Sequence, residues 1–310
     1  MLWSTHTHSG QFCTHAASTL REVILSALSL GLTTICLTEH IPRHPADFYP
    51  GEETHPLVVT HGDLFAVFAA YYTEACALRE EFADRIQVLV GFEGEWISSS
   101  PRTQGVIKEL KGKYGFDLWL GSVHHVAGVP IDFTQGEYDR ARDMCGGNDE
   151  GLAERYFDEQ FEMLQGRPPV VAHFDLVRLL AGRKDEDWRG MKGVWDRIVR
   201  NLKVVKGYGG VLEVNSAALR KGLEDVYPRK EILEEWRGMG GRLTISDDSH
   251  GVEQLCTNYG TALECVKRAG YTTLWCPNIS VVSGVRTLGW QEVEIAWVKD
   301  ALQSSSPAIS

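Results

Sequence analysis

The feature that most constrains the fold of this chain is the repeated alternation of short, apolar, β-branched segments with helical patterns. Strand-like segments of this length, each followed by an amphipathic helical pattern, are typical of βα units. Repeated βα units predict a parallel sheet with helices packed outside it. The predicted strands lie at about 2–7, 33–39, 87–92, 117–123, 170–174, 210–215, 242–246 and 273–276.

Helical patterns occupy the intervals between these strands. The pattern over 19–30 has clear boundaries, because Thr19 and Glu22 match a capping box and Gly31 follows the last turn. The number of βα units favours a closed barrel over an open sheet. The other predicted helices lie near 62–84, 103–113, 150–165, 188–206, 228–238, 252–269 and 290–302.

The carboxyl end of one predicted strand after another carries His, Glu or Asp. These residues are His6 and His8, His40, Glu93 and Glu95, His124 and His125, His173 and Asp175, and Asp248 and His250. Each residue alone is more often a surface or capping group, but parallel barrel strands bring all such ends to one mouth. So many imidazoles and carboxylates in one place are costly without cations. Nitrogen and oxygen donors without clustered Cys suit Zn, Mn or Fe.

The loop after the first strand adds His15 and Cys13. His15 by itself is equally compatible with a loop residue packed near a helix start. Cys13 raises the hypothesis of a nucleophile, but the sequence offers no base to orient it. We therefore interpret Cys13 as a packing residue or a spectator near the metals.

Charge and composition exclude several classes of protein. The formal net charge is -11 with no run of Lys or Arg, which disfavours binding to nucleic acid. No apolar stretch is long enough to cross a membrane, and the N-terminus does not resemble a secretory signal. The 7 Cys are scattered, which favours reduced thiols and a cytoplasmic protein.

The expected organisation is one domain over residues 1–302 and a flexible tail over 303–310. Residues 126–150 break the βα rhythm and are predicted to be an active-site loop insertion, able to act as a lid or substrate wall. The alternative is a disordered insertion.

The pattern of these residues resembles the polymerase-and-histidinol-phosphatase (PHP) superfamily, and more narrowly its histidinol-phosphate phosphatases. The resemblance covers about residues 6 to 250. It is carried by His6-Thr7-His8-Ser9-Gly10, Cys13-Thr14-His15, Leu37-Thr38-Glu39-His40-Ile41-Pro42-Arg43, Gly121-Ser122-Val123-His124-His125, Gly128-Val129-Pro130-Ile131-Asp132-Phe133 and Leu212-Glu213-Val214-Asn215-Ser216. One departure is Ser4, which stands where family members often carry Asp.

The resemblance implies an α/β fold, a distorted (β/α)7 TIM-like barrel, with up to three divalent metal ions. The first ion would take His6, His8, Glu93 and Asp248; the second would share Glu93 and add His124 and His173; the third would take His15, His40 and His250. The implied reaction is hydrolysis of L-histidinol phosphate in histidine biosynthesis, with a metal-bound hydroxide held by Glu93 and Asp248 attacking phosphorus in line. Arg43 and Arg220 are candidate phosphate contacts and Asp132 a candidate partner for the substrate amine, although surface ion pairs or a turn cap explain them equally well.

Three alternatives remain open at this point. A PHP phosphoesterase could act on another small phosphate ester or on nucleic acid ends, although a basic stripe is lacking. An amidohydrolase-type enzyme also begins with H-x-H, but that class usually uses a bridging Lys where this chain has Glu93. A non-catalytic barrel would tolerate loss of ligands, yet every expected ligand is present.

Overall fold

A computed structural model describes residues 1–182 and 187–305 as an α/β protein. Its strands are β1 (Trp3–Ser4), β2 (Thr34–Leu37), β3 (Gln87–Val90), β4 (Glu93–Glu95), β5 (Leu120–Ser122), β6 (His125–Val126), β7 (Val129–Pro130), β8 (Val170–Val171), β9 (Val211–Asn215), β10 (Arg242–Ser246), β11 (Thr273–Val282) and β12 (Val285–Glu294). Its helices are α1 (Leu20–Ser29), α2 (Pro56–His61), α3 (Leu64–Glu81), α4 (Pro101–Lys113), α5 (Gln135–Met144), α6 (Asp149–Leu164), α7 (Lys192–Tyr208), α8 (Ala217–Arg220), α9 (Lys230–Gly238), α10 (Tyr259–Arg268) and α11 (Ile295–Ser305).

Two parallel sheets form the centre of the molecule. One has the strand order β1-β2-β3, and the other has the order β10-β9-β8-β5-β4. The sheets meet at two places: beside β1 and β10 the Thr5 N–H donates to the Ile245 carbonyl at 3.3 Å, and a parallel bridge joins His40, just beyond β2, to Glu93 of β4. The carboxyl ends of their strands therefore face one region.

The helices pack around these sheets and bury the main apolar core. Helix α1 shows how local sequence sets an element, because the capping box at Thr19 and Glu22 forms as expected. Gly31 follows the helix with a positive φ of 72°, which glycine adopts without strain. The other predicted helices are present, although α7 begins at Lys192 and α10 at Tyr259, later than expected.

The segment 126–150, expected to be an irregular loop insertion, is mostly regular. It contains the short β6–β7 hairpin and the helix α5, whose capping residue Thr134 accepts from the Glu137 N–H at 3.2 Å. Tyr138 and Ala141, three positions apart, are both buried and hold α5 against the protein. The expectation of an irregular segment was wrong because α5 is short and polar, so its few apolar residues give only a weak helical periodicity.

The C-terminal part contains an antiparallel hairpin, β11–β12, where only a short strand and a helix over 290–302 were expected. Gln87 and Asp117 at the amino ends of the strands bind this hairpin: Asp117 pairs with Arg286 at 2.6 Å. The hairpin therefore lies at the amino ends of the parallel strands, opposite their carboxyl ends. Helix α11 continues to Ser305, so residues 303–305 of the expected tail are helical; residues 306–310 lie outside the described residues.

Candidate metal centre

A cavity of about 510 Å³ opens at the carboxyl ends of the parallel strands. Its lining includes seven of the nine predicted metal ligands, which are His15, His40, Glu93, His124, His173, Asp248 and His250. The other two, His6 and His8, are buried and contact Glu93 and Asp248. The structure thus brings all nine predicted residues to one place.

Glu93 lies at the centre of this cluster, and its two carboxylate oxygens contact different imidazoles. Oε1 lies 3.0 Å from His173 Nε2 and 3.2 Å from His124 Nε2. Oε2 lies 2.8 Å from His40 Nδ1 and 3.3 Å from His6 Nε2. A carboxylate with this division of neighbours can serve two cations at once.

Asp248 approaches the same region from the other side. Its Oδ1 lies 3.4 Å from His8 Nε2, 3.6 Å from His6 Nε2 and 3.8 Å from His250 Nδ1. Asp248 has a φ of 49° and His173 a φ of 23°, values that L-residues rarely adopt. Such backbone conformations cost on the order of 1–3 kcal/mol each, and they cluster at functional sites.

Several buried nitrogen and oxygen atoms of the cluster have no hydrogen-bond partner among the described residues, although imidazoles and carboxylates lie close to one another there. They include His6 Nε2, both ring nitrogens of His8 and of His40, and Glu93 Oε2. Buried polar atoms without partners are costly, and a bound cation would satisfy them. Four groups have potential ligand atoms within 4.8 Å of one another: His8 with Cys13, His40 and His250; His6 with His8 and Asp248; His6 with Glu93 and His173; and His40 with Glu93 and His124. The donor set therefore fits divalent metal ions.

Opposite charges within the cluster shift the pKa values of its members. Burial raises the pKa of Glu93, but His124, His6 and His40 outweigh burial and hold that pKa well below its usual range. Burial lowers the pKa of His124, but Glu93 and other carboxylates outweigh it and raise that pKa to about 9. Protons on imidazoles thus supply positive charge that metal ions could supply instead.

A second set of carboxylates, which the sequence analysis did not assign to the site, holds the imidazoles in place. Glu213 Oε1 accepts from His6 Nδ1 at 2.9 Å, and Glu213 Oε2 accepts from the His173 backbone N–H at 2.8 Å. Glu39 lies 3.5 Å from His8 Nδ1, and Glu95 Oε1 lies 2.5 Å from His125 Nδ1. A Glu placed between the apolar residues of β9 was the signal that could have identified Glu213.

Two of the three predicted substrate contacts lie at the cavity. Arg220 and Asp132 line the cavity, and Asp132 Oδ1 is buried without a partner among the described residues. Arg220 also donates to the Asp247 and Asp248 carbonyls at 3.0 and 3.1 Å, so it braces the segment that carries Asp248.

The expectation for Arg43 does not agree with the structure. Arg43 is buried, with Nη2 2.5 Å from Glu52 Oε1 and Nη1 3.1 Å from Glu95 Oε2. Two carboxylates already neutralise this guanidinium, so it is not available to a phosphate. Lys221, Tyr49 and His55 line the cavity instead, and none of them was singled out from the sequence.

His15 reaches the cavity but occupies an outer position. Its ring stacks on His250 with centroids 4.9 Å apart and tilts against His40 at 5.2 Å. Among the residues that the structure describes, His15 joins none of the groups of potential ligands, whereas Cys13 joins one.

The fold and the cluster together define an α/β protein with a candidate metal site at the ends of its strands. The PHP domain family matches residues 4–217. The chain belongs to this family.

Relatives in fungi cover most of the chain. A Schizosaccharomyces pombe protein named "Probable histidinol-phosphatase" is 40% identical over 274 residues, which are 87% of this chain and 88% of the relative. The histidinol-phosphatase of Saccharomyces cerevisiae is 34% identical and covers 83% of this chain and 85% of its own length.

Solved structures share the fold. The histidinol phosphate phosphatase of Lactococcus lactis, complexed with zinc, L-histidinol and phosphate, has a TM-score of 0.66 at 20% identity and covers 93% of this chain and 98% of its own. A Listeria monocytogenes structure has a TM-score of 0.69 at 22% identity, over 84% of this chain and 99% of its own.

None of the described helices is long and apolar enough to cross a membrane.

Proposed function

We propose that this chain is a histidinol-phosphatase, which hydrolyses L-histidinol phosphate to L-histidinol and phosphate in histidine biosynthesis. The observation that carries the proposal is the placement of Glu93 between two sets of imidazoles at the floor of a cavity large enough for a small phosphate ester. The two fungal relatives are similar to this chain over most of their length, and both are named for this activity.

We further propose that the two sheets form one distorted (β/α)7 TIM-like barrel. Seven strand positions follow one another around the ring if β3 and β4 are taken as one interrupted strand. The hydrogen bond from Thr5 to Ile245 beside β1 and β10, and the pairing of β4 with the continuation of β2 at His40, support closure. Closure explains why ligands far apart in sequence meet at one mouth.

The cluster would hold up to three divalent ions of Zn, Mn or Fe. One set of ligands is His6, His8, Glu93 and Asp248; a second set is Glu93, His124 and His173; a third set is His15, His40 and His250. When bound, such ions would supply the chemistry of water activation at neutral pH and would offset the negative charge of the phosphoryl oxygens. Glu213 would fix the ring of His6 by accepting from Nδ1, so that Nε2 faces the site.

The residues around the cavity would bind the two ends of the substrate. Arg220 and Lys221 place positive charge beside Asp248, which favours a phosphate there. Asp132, with an unpartnered buried oxygen, favours the cationic amine of histidinol. Tyr49 and Phe133, whose ring centroids are 5.6 Å apart, form an aromatic wall beside Asp132 on which a flat imidazole can pack.

The test is a phosphatase assay on the full-length protein with histidinol phosphate, nucleoside monophosphates and sugar phosphates, together with metal analysis of the same sample. We expect a kcat/KM for histidinol phosphate at least about tenfold above that for any other ester, which corresponds to about 1.4 kcal/mol. Chelation should abolish the activity and divalent metal should restore it. Equal rates on all esters would contradict the substrate, and full activity after metal removal would contradict the mechanism.

A further inference from the structure

One wall of the cavity comes from the segment between β2 and α2, which has little regular structure. Over residues 44–55, all of which the structure describes, the chain forms two single-turn helices, Pro45–Asp47 and Glu52–Thr54, and no strand. Tyr49 lines the cavity from the stretch between these two turns. Because neither a sheet ladder nor a long helix fixes this wall, side-chain contacts must set its position.

A buried ion pair fixes the wall to the residues that follow β2. Arg43 Nη2 lies 2.5 Å from Glu52 Oε1, and Arg43 Nε donates to Glu52 Oε2 at 3.3 Å. The same Oε2 atom accepts from the Tyr49 backbone N–H at 3.2 Å. Glu52 therefore accepts from a guanidinium and from the backbone of Tyr49 at once, which a carboxylate can do because it has no donor of its own.

The ring and the hydroxyl of Tyr49 are held by the same network. The central carbon of the Arg43 guanidinium lies 4.8 Å from the centroid of the Tyr49 ring, a cation–π distance. Arg43 Nη1 donates to Glu95 Oε2 at 3.1 Å, and the Tyr49 hydroxyl donates to Glu95 Oε1 at 3.4 Å. Contacts to its backbone, ring and hydroxyl give Tyr49 one preferred orientation at the cavity.

Stability alone does not explain a network of this kind. The gain from a buried ion pair is offset by the desolvation of both charges, so apolar contacts would hold the segment equally well. The segment also has a second attachment, because Asp47 Oδ2 accepts from Ser100 Oγ at 2.6 Å and from Thr103 Oγ1 at 3.0 Å. What the ion pair adds is the direction of the Tyr49 side chain.

The neighbour of Tyr49 across the cavity wall indicates what this direction is for. The Phe133 ring centroid lies 5.6 Å from that of Tyr49, and Phe133 is 51% exposed. An exposed aromatic ring at the mouth of a cavity offers apolar surface that a ligand can cover. A flat ring can pack there only if Tyr49 is held in place beside Phe133.

We propose that Arg43 and Glu52 are positioning residues that give the cavity its selectivity for phosphate esters with a flat aromatic end, because they hold Tyr49 beside Phe133. Both residues act through Tyr49 and not through the phosphate. Loss of the ion pair should therefore weaken recognition of the ring and spare hydrolysis at the other end of the substrate. The inference rests on the proposed function, whose substrate carries an imidazole.

The first experiment compares histidinol phosphate with glycerol phosphate, which has no ring, on the zinc-reconstituted, full-length protein. In Glu52→Gln an amide nitrogen replaces one oxygen, so the side chain cannot accept from both Arg43 and Tyr49. We expect kcat/KM for histidinol phosphate to fall at least about tenfold, mainly through KM, and kcat/KM for glycerol phosphate to change less than about twofold. Zinc content should stay at the wild-type level. An equal loss on both esters would overturn the proposal.

The matched control is Glu53→Gln, which makes the same chemical change at the exposed neighbouring residue. Both esters should be hydrolysed as by the wild type. A fall in selectivity as large as that of Glu52→Gln would overturn the proposal, because it would show that any change of charge in this segment has the same effect.

A double-variant cycle tests whether Glu52 acts through Tyr49. Tyr49→Ala should lower selectivity at least as much as Glu52→Gln, and the double variant should be no less selective than Tyr49→Ala alone, since a residue that acts through another shows no separate effect. Tyr49→Phe, which keeps the ring, should retain most of the selectivity. Independent, additive losses would overturn the proposal, and so would full selectivity in Tyr49→Ala, which decides the matter even if Glu52→Gln does not fold.

A measurement without substrate separates this inference from the proposed function. The protein is produced with fluorinated tyrosine, and the fluorine resonance that disappears in Tyr49→Phe is assigned to Tyr49. We expect this resonance to shift or broaden in Glu52→Gln and to stay unchanged in Glu53→Gln. An unchanged resonance in Glu52→Gln would overturn the positioning role even in an active histidinol-phosphatase. A changed resonance in a protein that does not hydrolyse histidinol phosphate would support the positioning role and refute the proposed function.

Discussion

At the scale of single residues, Glu93 is the side chain on which most of the candidate metal site depends. Its two oxygens contact five imidazoles that come from four different strand ends. A side chain shared by two cation sites cannot be replaced without loss at both sites. This is a stronger requirement than that on any imidazole of the cluster, each of which contacts at most three carboxylates among the described residues.

The substitution Glu93→Gln is therefore expected to lower both metal content and turnover. Loss of a group outside the ligand shell typically costs about 10–100-fold in metal affinity or activity, and loss of a shared ligand should cost at least about 100-fold. Metal analysis and kcat/KM on the same preparation measure the effect.

The matched control is Glu159→Gln on α6, a Glu that is equally buried but lies outside the cluster. Glu159 pairs with Arg155, so its loss should lower stability while metal content is retained. Normal metal content in Glu93→Gln would contradict the bridging role.

Protonation of the imidazoles leads to a second prediction at this scale. Burial lowers the pKa of His124, but the charge of Glu93 and its hydrogen bond outweigh burial and raise that pKa to about 9. A metal ion must therefore displace a proton from His124 at neutral pH. Apparent metal affinity should rise as the pH increases from about 6 to 9, by up to about tenfold per pH unit for each displaced proton. Zinc titrations with a competing chelator across this range, with proton release measured in parallel, provide the measurement.

The exposed His61 on α2 offers a control for this titration, because it lies outside the cluster. His61→Asn should show the same pH profile as the wild type. An affinity that is constant over the range would mean that the imidazoles are already neutral in the metal-free protein.

At the scale of elements, the β11–β12 hairpin has a structural role that is separate from the site. Ile279, Leu288 and Trp290 of the hairpin pack against a second apolar cluster. Members of that cluster are Cys36, Leu89, Leu118, Leu120, Val170 and Ala172, which lie in or beside the parallel strands. The hairpin thus covers the ends of the strands opposite the cavity, which would otherwise expose apolar side chains to water.

Trp290→Ala should lower the free energy of unfolding by about 2 kcal/mol, less than for a fully buried Trp because this side chain is half-buried. Metal content should not change, since the hairpin lies away from the cluster. Urea denaturation of the metal-loaded protein gives the stability difference. Trp297→Ala on α11 is the control, because that side chain is 62% exposed and its loss should change stability by less than about 0.5 kcal/mol. A similar effect of both variants would refute a packing role for the hairpin.

At the scale of the whole molecule, the parallel strands act as a frame that brings distant residues together. His6 and Asp248 are separated by almost the entire chain, yet His6 Nε2 lies 3.6 Å from Asp248 Oδ1 because β1 and β10 are hydrogen-bonded neighbours. The same strand order brings Glu213 to His6. The position of the candidate site therefore follows from strand order more than from any local segment.

The sequence by itself determined the alternation of strands and helices, the capping of α1, and the kinds of side chain at the strand ends. These features depend on neighbours within a few residues, so local periodicity is enough to predict them. The tertiary structure decided which of these side chains meet and what each of them contacts. It paired Arg43 with Glu52 and Glu95 and placed Glu213 behind His6. Such contacts join residues of different strands and loops, and their distances follow from strand register and packing, which no local pattern encodes.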